Sequence, residues 1–321
     1  MVNIFVIGAG AWGTAISNLL ARNKINVNLW AFEKDVVNFI NETSCNKTYL
    51  PNVKLESNIN AVNDFRLLSN CEAVFLVTPC QLTENILENI AISKHMPADI
   101  PIIICSKGIV NKDNELLSNI IKKYFNNPIL VMSGPNFAEE VALGKSAITT
   151  IASQDVEIAN YVANLLNNKY FKTVICDDII SAQISGSVKN VVAIALGIAA
   201  GLELSESSKA AILTKGLNEI GELAVKLGGK KISMLEPCAI GDLVLTSLSN
   251  KSRNMSLGYE LGKGSSLEQI MSVRKTVAEG VATAKSAYEL SVKYNIKLDL
   301  ITLIYNILHK NHKVSESDFL F

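Results

Sequence analysis

The chemistry in this chain starts with glycines. Gly8-Ala9-Gly10-Ala11-Trp12-Gly13 follows the apolar run Ile4–Ile7 and precedes a helically spaced stretch, Ala11–Arg22. In that setting a GxGxxG pattern carries a ligand: the first glycine makes the tight turn, the second lets a pyrophosphate approach the backbone, and the third seats the helix on the strand. The free N–H groups and dipole of the helix start then hold the negative charge. Glu33 stands twenty residues after Gly13, past the second apolar run Val27–Ala31, where a carboxylate can grip the adenine ribose hydroxyls. A carboxylate there repels a 2′-phosphate, so the sequence favours NAD over NADP, with Lys34 beside it softening that preference.

Further along come charges in unusual company. Lys107 follows the apolar run Ile102–Cys105 within Ser106-Lys107-Gly108. Gly134 and Asn136 follow Ile129–Met132 within Ser133-Gly134-Pro135-Asn136-Phe137-Ala138. Lys189 and Asn190 open the most apolar stretch of the chain, Val191 to Leu202. Lysine is rarely buried without a partner, and Asp242 in Gly241-Asp242-Leu243 is a candidate one, either as a plain structural ion pair or as part of a site. Ser252-Arg253-Asn254 combines a guanidinium with a helix start, which makes a phosphate cup or an ordinary capped helix.

The elements that must position these residues alternate in the first half. Apolar runs at residues 4–7, 27–31, 73–78, 102–105 and 129–133 are separated by helically patterned segments, and Ser146–Ala152 and Tyr170–Ile175 extend the series. Continuous apolar strands of this kind predict a parallel sheet buried on both faces, with ligands at the carboxyl ends of the strands. After about Asp178 the period changes to long helices, over residues 183–201, 207–227, 253–261, 276–294 and 300–309. The predicted architecture is α/β: an N-terminal doubly wound Rossmann-type parallel sheet over residues 1–180, followed by an all-α C-terminal domain over residues 181–321. The length of 321 residues suits two domains.

Composition narrows the partners. Thirty Lys plus Arg balance thirty Asp plus Glu, so no whole-chain charge points to nucleic acid or an anionic membrane. Residues 191–202 are twelve without a charge, short of the roughly 20 a bilayer requires, so membrane insertion is not expected. Six cysteines without a CxxC pair read as reduced thiols of a cytoplasmic protein, and His309 and His312 lack further ligands at metal spacing.

The glycine loop, Ser106-Lys107-Gly108, Ser133–Ala138, Val188-Lys189-Asn190, Gly241-Asp242-Leu243, Lys251-Ser252-Arg253-Asn254 and the closing Val277-Ala278-Glu279-Gly280 together resemble the NAD(P)-dependent sn-glycerol-3-phosphate dehydrogenases of the bacterial type, over nearly the whole chain. The resemblance implies reversible reduction of dihydroxyacetone phosphate to sn-glycerol 3-phosphate for glycerophospholipid synthesis by a cytoplasmic homodimer. By position it implies Lys189 as the catalytic proton donor and acceptor. Lys107, Gly134, Asn136, Asp242, Ser252, Arg253 and Asn254 would join it on the substrate. Gly8, Gly10, Ala11, Trp12, Gly13, Phe32, Glu33, Lys107, Ala138, Arg253, Val277 and Glu279 would hold NAD or NADP. Two departures stand out: Phe32-Glu33 where relatives often carry His and a charged residue, and Ala239-Ile240 where the family usually has Gly-Leu before Gly-Asp. A free lysine titrates near 10.4, so useful base function at Lys189 requires burial or a neighbouring cation, against which Asp242 would pull upward. The alternatives are a related dehydrogenase of the 6-phosphogluconate or 3-hydroxyacid type, which also opens a helix with a lysine, and a non-catalytic dinucleotide sensor. The lysine, aspartate and arginine positions taken together disfavour both.

Overall fold

A computed structural model describes residues 2–249, 251–273 and 278–319. The chain forms two compact units, Met1–Ser106 with Leu117–Ile179, and Lys107–Leu116 with Ile180–Phe321. Lys107 thus lies in the second unit, on a ten-residue segment embedded in the sequence of the first.

The first unit alternates strand and helix: β1 (Asn3–Ile7), α1 (Ala11–Arg22), β2 (Asn26–Trp30), α2 (Lys34–Thr43), a small hairpin of β3 (Cys45–Asn46) and β4 (Leu50–Lys54), β5 (Ile59–Val62), β6 (Ala73–Leu76), α3 (Thr83–Ser93), β7 (Ile102–Ile104), α4 (Leu117–Tyr124), β8 (Ile129–Ser133), α5 (Ala138–Ala142), β9 (Ala147–Ala152), α6 (Val156–Leu166) and β10 (Phe171–Cys176). Eight strands form one sheet in the order β10-β9-β8-β7-β6-β1-β2-β5. From β1 the chain first builds outward through β2 to β5, then returns to pair β6 on the other side, so the order reverses between β1 and β6. In doubly wound sheets ligands bind at such a reversal, beyond the carboxyl ends of the strands. β6 is buried throughout and β1 nearly so, which explains why they read as unbroken apolar runs.

The sheet is not all parallel. β9 runs antiparallel to β8, with Val131 opposite Ala152 and Ser133 opposite Thr150. The chain turns at the carboxyl end of β8 through Gly134 to Asn136 and the five-residue α5, then starts β9 at that same end. A parallel return would need a crossover long enough to carry the chain back along the sheet. The apolar run at β9 carries no sign of its direction.

The second unit is helical: α7 (Ile179–Gly201), α8 (Glu206–Lys226), α9 (Asp242–Leu248), α10 (Arg253–Gly262), α11 (Leu267–Val273), α12 (Glu279–Lys293) and α13 (Asp299–His309). α7 begins four residues earlier than its hydropathy suggests and is buried along almost its whole length. At 23 residues it is long and apolar enough to cross a membrane, yet 94% of its most apolar window is buried inside the protein. A helix buried all round is a core helix. It achieves that by backbone contact: a Cβ on Gly197 would overlap Met255 O of α10, and one on Gly258 would overlap Ile194 O of α7. Gly201 and Gly262 repeat the contact one turn on, their hypothetical Cβ atoms each 2.9 Å from the other's Cα. Two small residues four apart on each helix therefore let α7 and α10 touch main chain to main chain.

Candidate active site

In the first unit the glycine loop has the shape of a phosphate cradle. Gly8 adopts φ +115°, a left-handed conformation that L side chains rarely take, and a Cβ there would come within 2.7 Å of Val77 O. A Cβ on Gly13 would overlap Gly8 O, so α1 is pressed onto the loop. Gly10 is the opposite case, with nothing within 4 Å of its hypothetical Cβ. It is the N-cap of α1 and offers no side-chain bond to the first N–H groups. An open, uncapped, twelve-residue helix start suits a pyrophosphate, and the indole N–H of Trp12 is a buried donor with no partner among the described residues. These residues fit a dinucleotide.

Past β2 stand the two residues expected at the adenosine. Phe32 is 78% exposed, with its ring edge-on to Trp30. Glu33 is the exposed N-cap of α2 and accepts a 2.8 Å hydrogen bond from the Tyr49 hydroxyl. At the end of β8, Asn136 Nδ2 donates to Ile148 O at 2.9 Å, while its Oδ1 is buried and unpartnered among the described residues. Gly134 passes close to β9, where a Cβ would meet Thr149 Oγ1 at 2.8 Å. Ala138 opens α5.

The second unit holds a cluster of charge. Lys189, 5% exposed on α7, donates to Asp242 Oδ1 and, at 2.7 Å, to Thr246 Oγ1. Lys107 takes the other oxygen of the same carboxylate at 2.5 Å. Asp242, 1% exposed, is the first residue of α9, delivered by a wide helical turn over Pro237–Gly241. The bulkier Ala239 of that turn is buried in the helical core. Lys107 is held in place by its neighbours: Gly108 N–H donates to Ser187 Oγ on α7 at 2.8 Å, and Asn111 and Asn114 bond to Ser286 and Glu289 of α12.

The electrostatics follow from three charges sharing one buried place. Burial drives the Lys189 ammonium down to about 7; Asp242 opposes this and the Lys107 charge reinforces it. Burial also works against the half-buried Lys107, but Asp242 outweighs it and holds that ammonium above the ordinary lysine value. Asp242 stays below the usual carboxylate range because two ammonium groups overcome its own burial. The opposition anticipated between Asp242 and burial at Lys189 is thus decided for burial. The ion pair with Asp242 is real, and it coexists with an amine poised near neutral pH.

Arg253 opens α10 at an exposed position, after Ser252, whose Oγ caps the helix by accepting Met255 N–H at 3.2 Å. Asn254 is engaged within the fold: its Nδ2 donates to Asn190 Oδ1 at 2.9 Å and its Oδ1 accepts Gly280 N–H at 3.1 Å. Asn190, Asn254 and Gly280 thereby fasten α7, α10 and α12 at the level of the cluster. Glu279 opens α12, and Val277 lies outside the described residues.

Comparison with known proteins matches this arrangement at both ends of the chain. Residues 3–159 match the family described as NAD-dependent glycerol-3-phosphate dehydrogenase N-terminus, and residues 178–317 its C-terminus. The chain belongs to the NAD-dependent glycerol-3-phosphate dehydrogenase family. Among proteins named glycerol-3-phosphate dehydrogenase, NAD(P)+, it is 36% identical to that of Maricaulis maris over 98% of this chain and 94% of the relative. It is 38% identical to that of Myxococcus xanthus over 95% and 92%. The crystal structure of glycerol-3-phosphate dehydrogenase from Coxiella burnetii superposes with a TM-score of 0.91 at 31% identity, covering 97% of this chain and 96% of that one. D-mandelate dehydrogenase, at 16% identity and a TM-score of 0.62, shares the fold alone.

Within the second unit, direct bonds tie Lys107 and Lys189 to Asp242. Two residues at the candidate sites escape motif reading. Thr246 lies one helical turn after Asp242, a spacing that becomes informative only once α9 is known to start at Asp242. Tyr49 reaches Glu33 from a hairpin whose first strand is two residues long, too short to leave an alternating pattern.

Proposed function

We propose that this chain catalyses reversible hydride transfer between NAD(H) and a three-carbon phosphate, reducing dihydroxyacetone phosphate at C2 to sn-glycerol 3-phosphate. The observation that carries the reading is the Lys189–Asp242–Lys107 cluster in a member of this family, with a buried amine brought to about 7. A nicotinamide held by the glycine loop would supply the hydride in one direction and accept it in the other. In reduction, the Lys189 ammonium hydrogen-bonds to the carbonyl oxygen as it gains negative charge and donates the proton; in oxidation the neutral amine takes it back. Thr246 and Asp242 fix the direction of the Lys189 side chain. Lys107 adds a second cation that orients the substrate oxygens and keeps the Lys189 proton mobile. Arg253, Ser252 and Asn254 at the start of α10 bind the phosphate, with Gly134 and Asn136 contributing to the substrate.

Gly8, Gly10, Ala11, Trp12 and Gly13 would hold the pyrophosphate and its flanks, Phe32 and Glu33 the adenosine, and Ala138, Glu279 and, outside the described residues, Val277 the rest of the dinucleotide. The Glu33 carboxylate makes NAD the preferred cofactor. Residues 1–180 and 181–321 divide these tasks, with Lys107 belonging by its contacts to the second unit. Product would supply glycerophospholipid synthesis, in the cytoplasm and from a homodimer. The test is loss of NADH absorbance with dihydroxyacetone phosphate, against unphosphorylated dihydroxyacetone and a 3-oxoacid. Turnover confined to the phosphorylated ketone supports the proposal; preference for either control refutes it.

A further inference from the structure

Glu33 poses a physical problem. It is an exposed glutamate at a helix N-cap, and its own side chain makes no capping bond, so alone it would sample many rotamers. A carboxylate that selects between a ribose hydroxyl and a 2′-phosphate has to be held where that group arrives. The hairpin of β3 and β4 provides the hold. The Tyr49 hydroxyl donates to Glu33 Oε1 at 2.8 Å, and Tyr49 N–H donates to Asn46 Oδ1 at 3.2 Å. Asn46 is 1% exposed, and its Nδ2 donates at 2.8 Å both to Ala9 O, inside the glycine loop, and to Thr14 Oγ1 on α1.

One short hairpin is therefore anchored at its buried end to the pyrophosphate loop and at its outer end to the ribose carboxylate. We infer that Tyr49, seated by Asn46, is a positioning residue for cofactor choice: it pins Glu33 at a fixed offset from the glycine loop, and this makes the carboxylate discriminate against a 2′-phosphorylated dinucleotide. The inference rests on the reading of Glu33 as the NAD-selecting group. Three features support it independently of that reading. The Tyr49 ring is 40% exposed, so its hydroxyl is not required to fill a core. Among the described residues its hydroxyl bonds to Glu33 alone, and that bond, with some burial, lifts the phenol above the ordinary tyrosine value. The amide of Asn46 divides three bonds among the loop, α1 and the hairpin, where Leu or Asp of similar size would leave at least one group unmet.

The experiment is a double-mutant cycle read by equilibrium binding. Dissociation constants of NADH and NADPH are measured calorimetrically, without substrate, for wild type, Tyr49→Phe, Glu33→Ala and the double variant. Tyr49→Phe is expected to weaken NADH about three- to tenfold, the range for one typical net hydrogen bond, with NADPH weakened less, so that the preference narrows. In the Glu33→Ala background the same substitution is expected to change neither constant by more than about twofold, because nothing remains to position. If Glu33→Ala narrows the preference while Tyr49→Phe leaves it at the wild-type ratio, the positioning role is wrong and the reading of Glu33 survives. Equal effects of Tyr49→Phe in both backgrounds would also overturn it, since Tyr49 would then act on the dinucleotide by itself. If Glu33→Ala leaves the ratio unchanged, the reading of Glu33 falls first.

Discussion

Removing the Lys107 charge should move the titration of Lys189 to higher pH. The two ammonium groups occupy the two oxygens of one carboxylate, Lys107 at 2.5 Å from Oδ2 and Lys189 on Oδ1, so they lie no more than about 8 Å apart. At an effective dielectric constant of about 20 their repulsion is at least about 2 kcal/mol. That corresponds to more than one pH unit, in the direction that now favours the neutral amine at Lys189. Lys107→Met keeps the length of the stem, deletes the charge and leaves Asp242 wholly to Lys189. Reduction needs the Lys189 ammonium, so its rate falls as pH rises through the Lys189 pKa; oxidation needs the amine, so its rate rises through the same point. Both midpoints should lie near 7 in wild type and above 8 in the variant. The assay is kcat/KM from pH 5.5 to 10 in each direction, followed by NADH absorbance. The substrate phosphate titrates near pH 6 in both enzymes and cancels from the comparison. Lower absolute rates are expected, because Lys107 also contacts substrate in the proposed mechanism. A midpoint that stays put, or moves to lower pH, would refute the argument that Lys107 keeps the Lys189 proton mobile.

Other substitutions separate binding, chemistry and packing. Lys189→Ala should lower kcat at least about a hundredfold while the dinucleotide dissociation constant barely moves; a rate within tenfold of wild type would mean that another group supplies the proton. Arg253→Ala should raise KM for dihydroxyacetone phosphate about ten- to a hundredfold, and an unchanged KM would place the phosphate elsewhere. Gly258→Ala forces a methyl group into Ile194 O and should cost about 1–3 kcal/mol of stability, seen as a lower urea midpoint. Gly10→Ala has room for its Cβ, so its unfolding midpoint should be close to wild type, while calorimetry should show weaker dinucleotide binding.

Where the sequence was legible, one physical signal dominated. Strands β1, β6, β7 and β8 are buried so completely that their apolar runs stand out, and the residues just after them, Gly8, Lys107 and Gly134, could be picked out by position. The direction of β9 was not legible, because the polarity of a strand depends on where the preceding turn leaves the chain. Lys189 could be singled out because a lysine heading an apolar helix is costly without a partner. Its pKa could not, since the balance of burial, Asp242 and Lys107 depends on distances. The Gly197/Gly201 and Gly258/Gly262 spacings are visible in the sequence, but they acquire meaning only when α7 and α10 are seen to pair. Thr246 and Tyr49 belong to the same class: each acts through one hydroxyl, whose value depends on a partner 57 or 16 residues away.

The glycine contact between α7 and α10 has a mechanical consequence. Most helix pairs meet through side chains, and each side chain has alternative rotamers through which one helix can slip on the other. At these four glycines the meeting surfaces are main-chain atoms, which have none. Lys189 lies about two turns before Gly197, and Arg253 just over one turn before Gly258. The spacing between the backbones that carry Lys189 and Arg253, the proposed proton donor and phosphate ligand, is therefore a hard dimension, a fixed gauge. A substrate with one carbon more or fewer would meet that gauge unchanged, so tolerance for other chain lengths has to come from the side chains that project across it.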